Sequence, residues 1–300
     1  MPPSLKVLCL TLAACLLAAC GSATAPATDL LSHIQQRGTL ITSAGTNYAP
    51  QSVLKQGGAR PAGSQCPADT LTTGELEGFD VDVAAELARR LGVEICFATP
   101  TWDLVTAGSW GGRWDISVGS MTITPARMKV LSFTTPYYYA PAQMAAARDS
   151  GLTSLGDLAG KNVCAGSATT YEAWLNHDIA SLGLPQQSIY AQPPANITVV
   201  PLDTDQECAE AIAAGRRDFS AYLTSSTLVD RNIEQGVPVV KLGAAVFAEE
   251  LAVAIDKAGS LSPDTLVGQL DAAVKAMHAD GTLGRLSVKW FGEDLTKRPG

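Results

Sequence analysis

Arg127 is the residue of this chain whose type and position speak most directly of chemistry. It follows Thr124-Pro125-Ala126, an N-cap and a first-turn proline that open a short helix. The polar stretch Gly119-Ser120-Met121-Thr122-Ile123 runs just ahead of it. A guanidinium there offers a planar fork of N–H donors suited to a carboxylate. Further on, Ser167-Ala168-Thr169-Thr170 leads into another helix, whose N-terminal N–H groups and dipole favour an anion. Taken singly, each is also what an ordinary helix cap looks like. The chain has three histidines, His33, His177 and His278, all in predicted helices away from these loops. No Ser-His-Asp arrangement, phosphate loop or clustered His/Cys metal spacing occurs. Binding is therefore expected rather than catalysis, with no metal and no cofactor.

The elements that must position these loops alternate. A short helix over 30–37 precedes a strand over 39–44. That strand ends in Gly45-Thr46-Asn47-Tyr48-Ala49-Pro50. Residues 55–75 are rich in Gly, Pro and Ser and read as a surface excursion. The clearest helix covers 79–91, with Val83, Leu87 and Leu91 on one face. Asp80 and Asp82 lie at its positive end, Arg89 and Arg90 at its negative end, and Gly92 stops it. Strands are predicted over 93–98 and 114–118. An extended segment over 137–148 lies near mid-chain, after which the pattern restarts. Strands over 162–165, 197–202, 218–223 and 238–242 alternate with helices over 171–182, 205–214 and 226–235. A strand over 251–255 and helices over 263–279 and 284–291 close the chain. Such alternation implies mostly parallel α/β sheets.

Three hundred residues suffice for two domains, and 46% apolar content with 17% charged is globular. The formal charge is −8 and no basic stripe exists to neutralise phosphates, which argues against a nucleic-acid partner. Lys6 precedes an apolar run over 7–19, a signal-peptide core that is short for a bilayer span. The run ends Leu17-Ala18-Ala19-Cys20-Gly21, which resembles a bacterial lipobox. Leu12-Ala13-Ala14-Cys15 has the same letters but leaves a very short core. Residues 1–19 are thus read as a signal peptide, Cys20 as the lipid attachment and 20–28 as a tether. Plain secretion is the alternative.

A larger resemblance is carried by an ordered set of motifs. Gly78-Phe79-Asp80-Val81-Asp82-Val83 comes first, then Trp102-Asp103, Gly112-Arg113-Trp114-Asp115 and Met121-Thr122-Ile123-Thr124-Pro125-Ala126-Arg127. Phe133 to Tyr139, Ser167 to Thr170 and Ala214-Gly215-Arg216-Arg217-Asp218 follow. Asp280-Gly281-Thr282 and Lys289-Trp290-Phe291-Gly292 end the set. In this order they resemble the family-3 bacterial extracellular solute-binding proteins of the polar amino acid type. The resemblance implies an α/β fold: a two-lobe type II periplasmic-binding-protein fold with two crossover hinge strands. Lobe 1 would comprise 29–141 plus 251–300 and lobe 2 residues 145–246. Crossovers near 140–143 and 247–251 would let ligand binding close the hinge.

The same resemblance makes Arg127 the carboxylate anchor. Ser120, Met121 and Thr122 would add contacts from its loop, and Thr169 and Thr170 from lobe 2. Tyr48 and Trp102 would pack the ligand side chain, with Asn47 and Thr224 as further candidates. One departure is visible. The family usually holds the ligand ammonium with an Asp five residues after the Asp of its "GRVD" motif. Here Leu223 takes that position, followed by Thr224 and Ser225. Glu172 or Glu250 could substitute, neutral oxygens could suffice, or the ligand could lack a free amino group. If the halves move against each other, disulfides should stay within them, as Cys66–Cys96 and Cys164–Cys208. Four buried thiols are the alternative. The implied partners are an amino acid or small carboxylate, an ABC permease with its ATPase, and the membrane through the lipid, for a monomer on the periplasmic or extracellular face. A ligand-sensing lipoprotein and a cyclohexadienyl dehydratase-like enzyme are the competing readings.

Overall fold

The computed structural model describes residues 26–298. The signal segment, Cys20 and most of the tether lie outside that range. Helix α1 (Leu30–Arg37) begins where Asp29 accepts the Ser32 N–H at 2.8 Å, and it ends at Gly38 in a left-handed turn. Strand β1 (Thr39–Ser43) follows, then β2 (Asn47–Tyr48), β3 (Ser52–Leu54) and β4 (Leu76–Glu77), which form a small sheet of their own. Helix α2 (Phe79–Leu91) starts at Gly78, with φ 141°, where a Cβ would lie 2.1 Å from the Gln51 carbonyl oxygen. Only glycine lets the helix enter that close to β3.

The chain continues through β5 (Glu94–Ala98), α3 (Trp102–Thr106), β6 (Ile116–Thr122), α4 (Pro125–Val130), β7 (Leu131–Phe133) and β8 (Tyr138–Ala147). After β9 (Asn162–Gly166) come α5 (Thr170–Leu175), α6 (Ile179–Leu182), β10 (Thr198–Leu202), α7 (Asp205–Ala213), β11 (Ala221–Ser225), α8 (Ser226–Glu234) and β12 (Val239–Lys241). Strand β13 (Phe247–Asp256), α9 (Asp264–Ala279) and α10 (Thr282–Phe291) complete it.

One ten-stranded sheet runs β10-β9-β11-β8-β13-β6-β1-β5, with β12 beside β8 and β7 beside β13. Its two wings are parallel within themselves: β1 with β5 and β6, β9 with β10 and β11. The long strands β8 and β13 join them antiparallel, Phe247 opposite Ala142 and Leu251 opposite Tyr138. Beyond that overlap β8 pairs with β11 and β12, and β13 with β6 and β7. Each wing has helices packed on it and its own cores. Phe79, Leu87, Ile116, Leu266 and Leu270 belong to one, and Val163, Trp174, Leu175 and Leu223 to another.

Several elements differ from the sequence expectation. The helix over 171–182 is two helices, broken at His177 with φ 62°. Strand β6 runs on to Thr122 instead of stopping at Val118, because β13 pairs with it there, Leu251 opposite Thr122. Strand β13 starts at Phe247, four residues early, so the expected crossover is itself hydrogen-bonded strand. Residues 55–75 are pinned as well as exposed: Leu71 and Phe97 exchange backbone hydrogen bonds at 2.8 Å, and Arg60 binds the Cys66 carbonyl at 2.9 Å.

Cys66 is bonded to Cys96 and Cys164 to Cys208, each pair inside a single wing's core. The second bond spans 44 residues. Replacing both its cysteines by alanine is expected to lower unfolding stability by about 3 kcal/mol. Chemical denaturation under non-reducing conditions measures this, and the ligand affinity of the variant should be unchanged.

Candidate functional site

A cavity of about 350 Å³ lies between the wings, over the β8–β13 overlap. Strand alternation decides what β6 offers to it. Ser120 and Thr122 line the cavity, whereas Met121 between them is fully buried in the core around Cys66, Cys96 and Trp110. The expectation of a Met121 contact is corrected on that ground. Ser120 has φ 54°, and its position is over-determined. Its hydroxyl donates to Asp80 Oδ2 at 2.7 Å, and its N–H donates to the Tyr137 hydroxyl at 2.9 Å.

Arg127 is delivered by α4 as the sequence suggested. Thr124 accepts the Arg127 N–H at 3.2 Å, and Pro125 fills the first turn. The side chain is 7% exposed. Its Nη1 donates to the Thr122 carbonyl and its Nη2 to the Ala168 carbonyl, both at 3.0 Å. The Trp102 ring stands 5.4 Å from its Cζ, within cation–π range. Burial lowers the Arg127 pKa to about 10, opposed by the nearby charge of Glu249. The group stays protonated at neutral pH.

From the other wing, Thr169 caps α5, accepting the Glu172 N–H at 3.1 Å and donating to the Gly166 carbonyl at 2.6 Å. Thr170 donates its hydroxyl to Glu249 Oε1. Tyr48 reaches across to the Ser225 hydroxyl at 3.1 Å, and Asn47, at the rim, to Glu210 at 3.0 Å. Asn47, Tyr48, Trp102, Ser120, Thr122, Arg127, Thr169 and Thr170 therefore all line one cavity. Thr224 does not. It is fully buried behind the wall and donates to Asp205 Oδ2 at 3.1 Å. Trp110 lies in the core, bound to the Val105 carbonyl at 2.9 Å.

Five acids that line the cavity escaped the sequence reading, the exposed or half-exposed Asp203 and Glu207 and the buried Asp80, Asp205 and Glu249. Asp80 lay in view in the Gly78-Phe79-Asp80 motif, as a helix-end charge only. Asp205 opens α7, where its Oδ1 accepts the Gly166 N–H at 2.7 Å. Glu249 lies on β13 and is 2% exposed. It accepts the Thr122 hydroxyl at 2.5 Å and the Tyr171 hydroxyl at 2.6 Å besides that of Thr170. The two acids suggested from sequence are elsewhere. Glu250 pairs with Arg298 at 2.5 Å, and Glu172 accepts the Ala168 N–H in a separate recess behind Arg127. Among the described residues no group of three or more His, Cys, Asp or Glu is placed to hold a metal ion. No described helix is long and apolar enough to cross a membrane.

Burial raises the Asp80 and Asp205 carboxyls to about 7, against hydrogen bonds that favour the ionised form. Burial raises Glu249 as well. Such acids hold their protons more tightly folded than unfolded.

A family model described as bacterial extracellular solute-binding proteins, family 3, matches residues 62–293. The L-cystine-binding protein TcyJ of Escherichia coli K12 is 28% identical over 270 residues, covering 89% of this chain and 88% of that protein. The ABC transporter arginine-binding protein 1 of the same organism is 29% identical, covering 72% and 82%. A mutant ArgBP from T. maritima shares the fold, with a TM-score of 0.69 at 23% identity over 88% of this chain and 99% of that one. The ancestral amino acid-binding protein AncCDT-1, a precursor of cyclohexadienyl dehydratase, has a TM-score of 0.67 at 26% identity over 87% and 99%.

The raised acids set a pH dependence. Unfolded carboxyls of this kind titrate near pH 4 and the folded ones about three units higher. The folded state therefore holds extra protons between those values, so stability from these groups falls as pH rises through that window and flattens above about 7. The surface acids Glu86 and Asp157, held near 2 by hydrogen bonds from Arg89 and the Thr153 backbone, act below the window. Urea unfolding at several pH values between 5 and 8 is expected to show the decline, and Asp80→Asn to reduce its slope by about one proton.

Proposed function

The chain belongs to the bacterial extracellular solute-binding proteins, family 3, and from that premise we propose that it is the substrate-binding component of an ABC importer. Its two lobes close on an amino acid or a related small carboxylate. The observation that carries this is Arg127: a buried guanidinium inside the inter-lobe cavity, under Trp102, bound to backbone carbonyls and to no acid. Such a cation has no directly paired carboxylate among the described residues until an anion enters. The N-terminus of α5 and the hydroxyls of Thr122 and Thr169 flank it. Tyr48 and Trp102 supply apolar walls for a side chain.

Lobe 1 is assigned to 29–141 plus 251–300 and lobe 2 to 145–246. The cores support this division, because Tyr138 and Ala140 pack in the first and Ala142 and Met144 in the second, while Phe247 and Leu251 divide the same way. The Gln51–Thr227 hydrogen bond at 2.7 Å and the Tyr48–Ser225 bond cross between the lobes, as a closed form requires. Disulfides confined within lobes leave the hinge free to open. Relatives named for L-cystine and arginine binding support an amino acid as the ligand class. Leu17-Ala18-Ala19-Cys20 supports lipid attachment at Cys20, which would hold the protein, read as a monomer, at the periplasmic or extracellular face of the cell membrane. Cys20→Ser should abolish labelled-palmitate incorporation and move the protein to the soluble fraction.

A second reading has one observation behind it. Acids near pKa 7 in a cavity suit general acid–base work, and AncCDT-1 is a precursor of cyclohexadienyl dehydratase. Yet Asp80 and Asp205 each accept hydrogen bonds on both oxygens from the protein itself. Incubation with prephenate or arogenate is expected to yield no aromatic product.

The transport reading is tested on protein stripped of ligand by unfolding and refolding. A thermal-shift screen of amino acids and simple carboxylates, followed by calorimetry, should give a hit. Arg127→Ala should weaken it by about 3 kcal/mol, roughly a hundredfold. An unchanged affinity would remove Arg127 as the anchor.

A further inference from the structure

The cavity holds two buried, oppositely charged groups that do not meet. Arg127 and Glu249 form no ion pair with each other among the described residues, although each is more than nine-tenths buried. Attraction between such groups in a low-dielectric interior is strong, and a lone buried charge is costly. The same two pieces of backbone hold them apart. Thr122 gives its carbonyl to Arg127 and its hydroxyl to Glu249. The turn into α5 gives the Ala168 carbonyl to Arg127 and the Thr170 hydroxyl to Glu249. The fork and the carboxylate therefore face one space across one residue on either side.

An α-amino acid carries its anion and its cation on a single carbon, and so brings an opposite charge to each of these two groups, which line the same cavity. We propose that Glu249, from the hinge strand, receives the ligand ammonium while Arg127 receives its carboxylate, so that the ligand is an α-amino acid with a free amino group rather than a simple carboxylate. This rests on the transport reading above and sharpens it. The other cavity acids are differently placed: Asp203 and Glu207 lie at the mouth, not buried, with Glu207 accepting the Asp203 N–H at 3.1 Å. Asp205 is fastened to the Gly166 N–H and Thr224 on the α7 side. Asp80 is fastened to Ser120 and Tyr137 on the α2 side. Neither shares a hydrogen-bonding residue with Arg127, as Glu249 does through Thr122. Among the described residues Glu249 Oε2 accepts one hydroxyl, that of Tyr171, which leaves it room for an N–H donor. The acid missing from the end of β11, where Leu223 and Thr224 stand, is thus supplied from the strand that links the lobes. Because Glu249 is bonded to Thr122 in one lobe and to Thr170 and Tyr171 in the other, ammonium binding also bears on closure.

The test compares each amino acid with its deaminated counterpart on the same protein. The probes are L-arginine with 5-guanidinopentanoate, L-cystine with 3,3′-dithiodipropionate, and L-glutamine with 4-carbamoylbutanoate. Calorimetry on the full mature chain reads the preference ratio within each pair that binds. Wild type is expected to prefer the amino acid by about a hundredfold or more, and Glu249→Gln to reduce that preference to about threefold or less. Glu249→Asp should restore part of it. Tyr171→Phe, which removes a hydroxyl from Glu249 but no charge, should weaken both members of a pair alike, since a loss confined to closure does not move the ratio. A preference that persists in Glu249→Gln, or that is lost in Asp205→Asn instead, overturns the assignment while leaving the transport reading intact. A wild type that binds none of the six probes removes both.

Discussion

The antiparallel overlap of β8 and β13 is the constraint on which the rest depends. Both strands are shared: each begins in one lobe's core and ends in the other's, and between Ala142–Phe247 and Tyr138–Leu251 they hold each other. The ladder here pairs the backbone of both strands across five successive positions in the middle of the molecule. It also leaves the lobes joined by few covalent paths, so they can rotate while the strands merely twist. The cavity lies over this crossing, which means that a residue on either strand can touch a ligand and the hinge at once. Glu249 is such a residue.

Electrostatics in the cleft follow from burial more than from pairing. Arg127 is satisfied by carbonyls and an indole face, and the acids by hydroxyls and backbone N–H groups. Neutral partners fix the geometry of the charged groups without cancelling their charge. Tyr48, Tyr171, Thr122, Thr170 and Ser120 form that neutral scaffold. Their hydroxyls explain why acids with raised pKa values persist in a site that must bind polar ligands reversibly.

Local chemistry in the sequence reported what is local. Thr124-Pro125 opens α4 and so aims Arg127. Thr169 caps α5, and the apolar spacing over 79–91 is α2. The ordered motifs carried the two-lobe architecture. What stayed hidden depends on pairing between distant segments. The end of β6 and the start of β13 are strand only because they face each other, so Met121 could not be seen as inward-facing from its loop-like neighbours. Glu249 and Glu250 are adjacent and identical in type. Strand alternation sends one into the cavity and the other to Arg298 on the surface, and no composition signal separates them. Asp205 looked like an ordinary first-turn acid because its partners, Gly166 and Thr224, are 39 and 19 residues away.

The core around Phe79 is closed by residues from the far end of the chain. Leu266, Leu270, Val274, Met277 and Leu283 pack into it, the Phe291 ring lies tilted against Phe79 at 4.6 Å, and Trp290 donates to Asp82 on α2 at 2.7 Å. The other large core is drawn from one uninterrupted stretch between Ala142 and Phe247. An emerging chain can therefore assemble that stretch early, but its opening segment has no complete partner surface until the last helices arrive. Contacts of such long sequence separation form slowly. The order of the cores along the chain thus sets an order of closure: the stretch between Ala142 and Phe247 holds all the residues of its own core, whereas the one around Phe79 stays open on one side until the C-terminal helices dock.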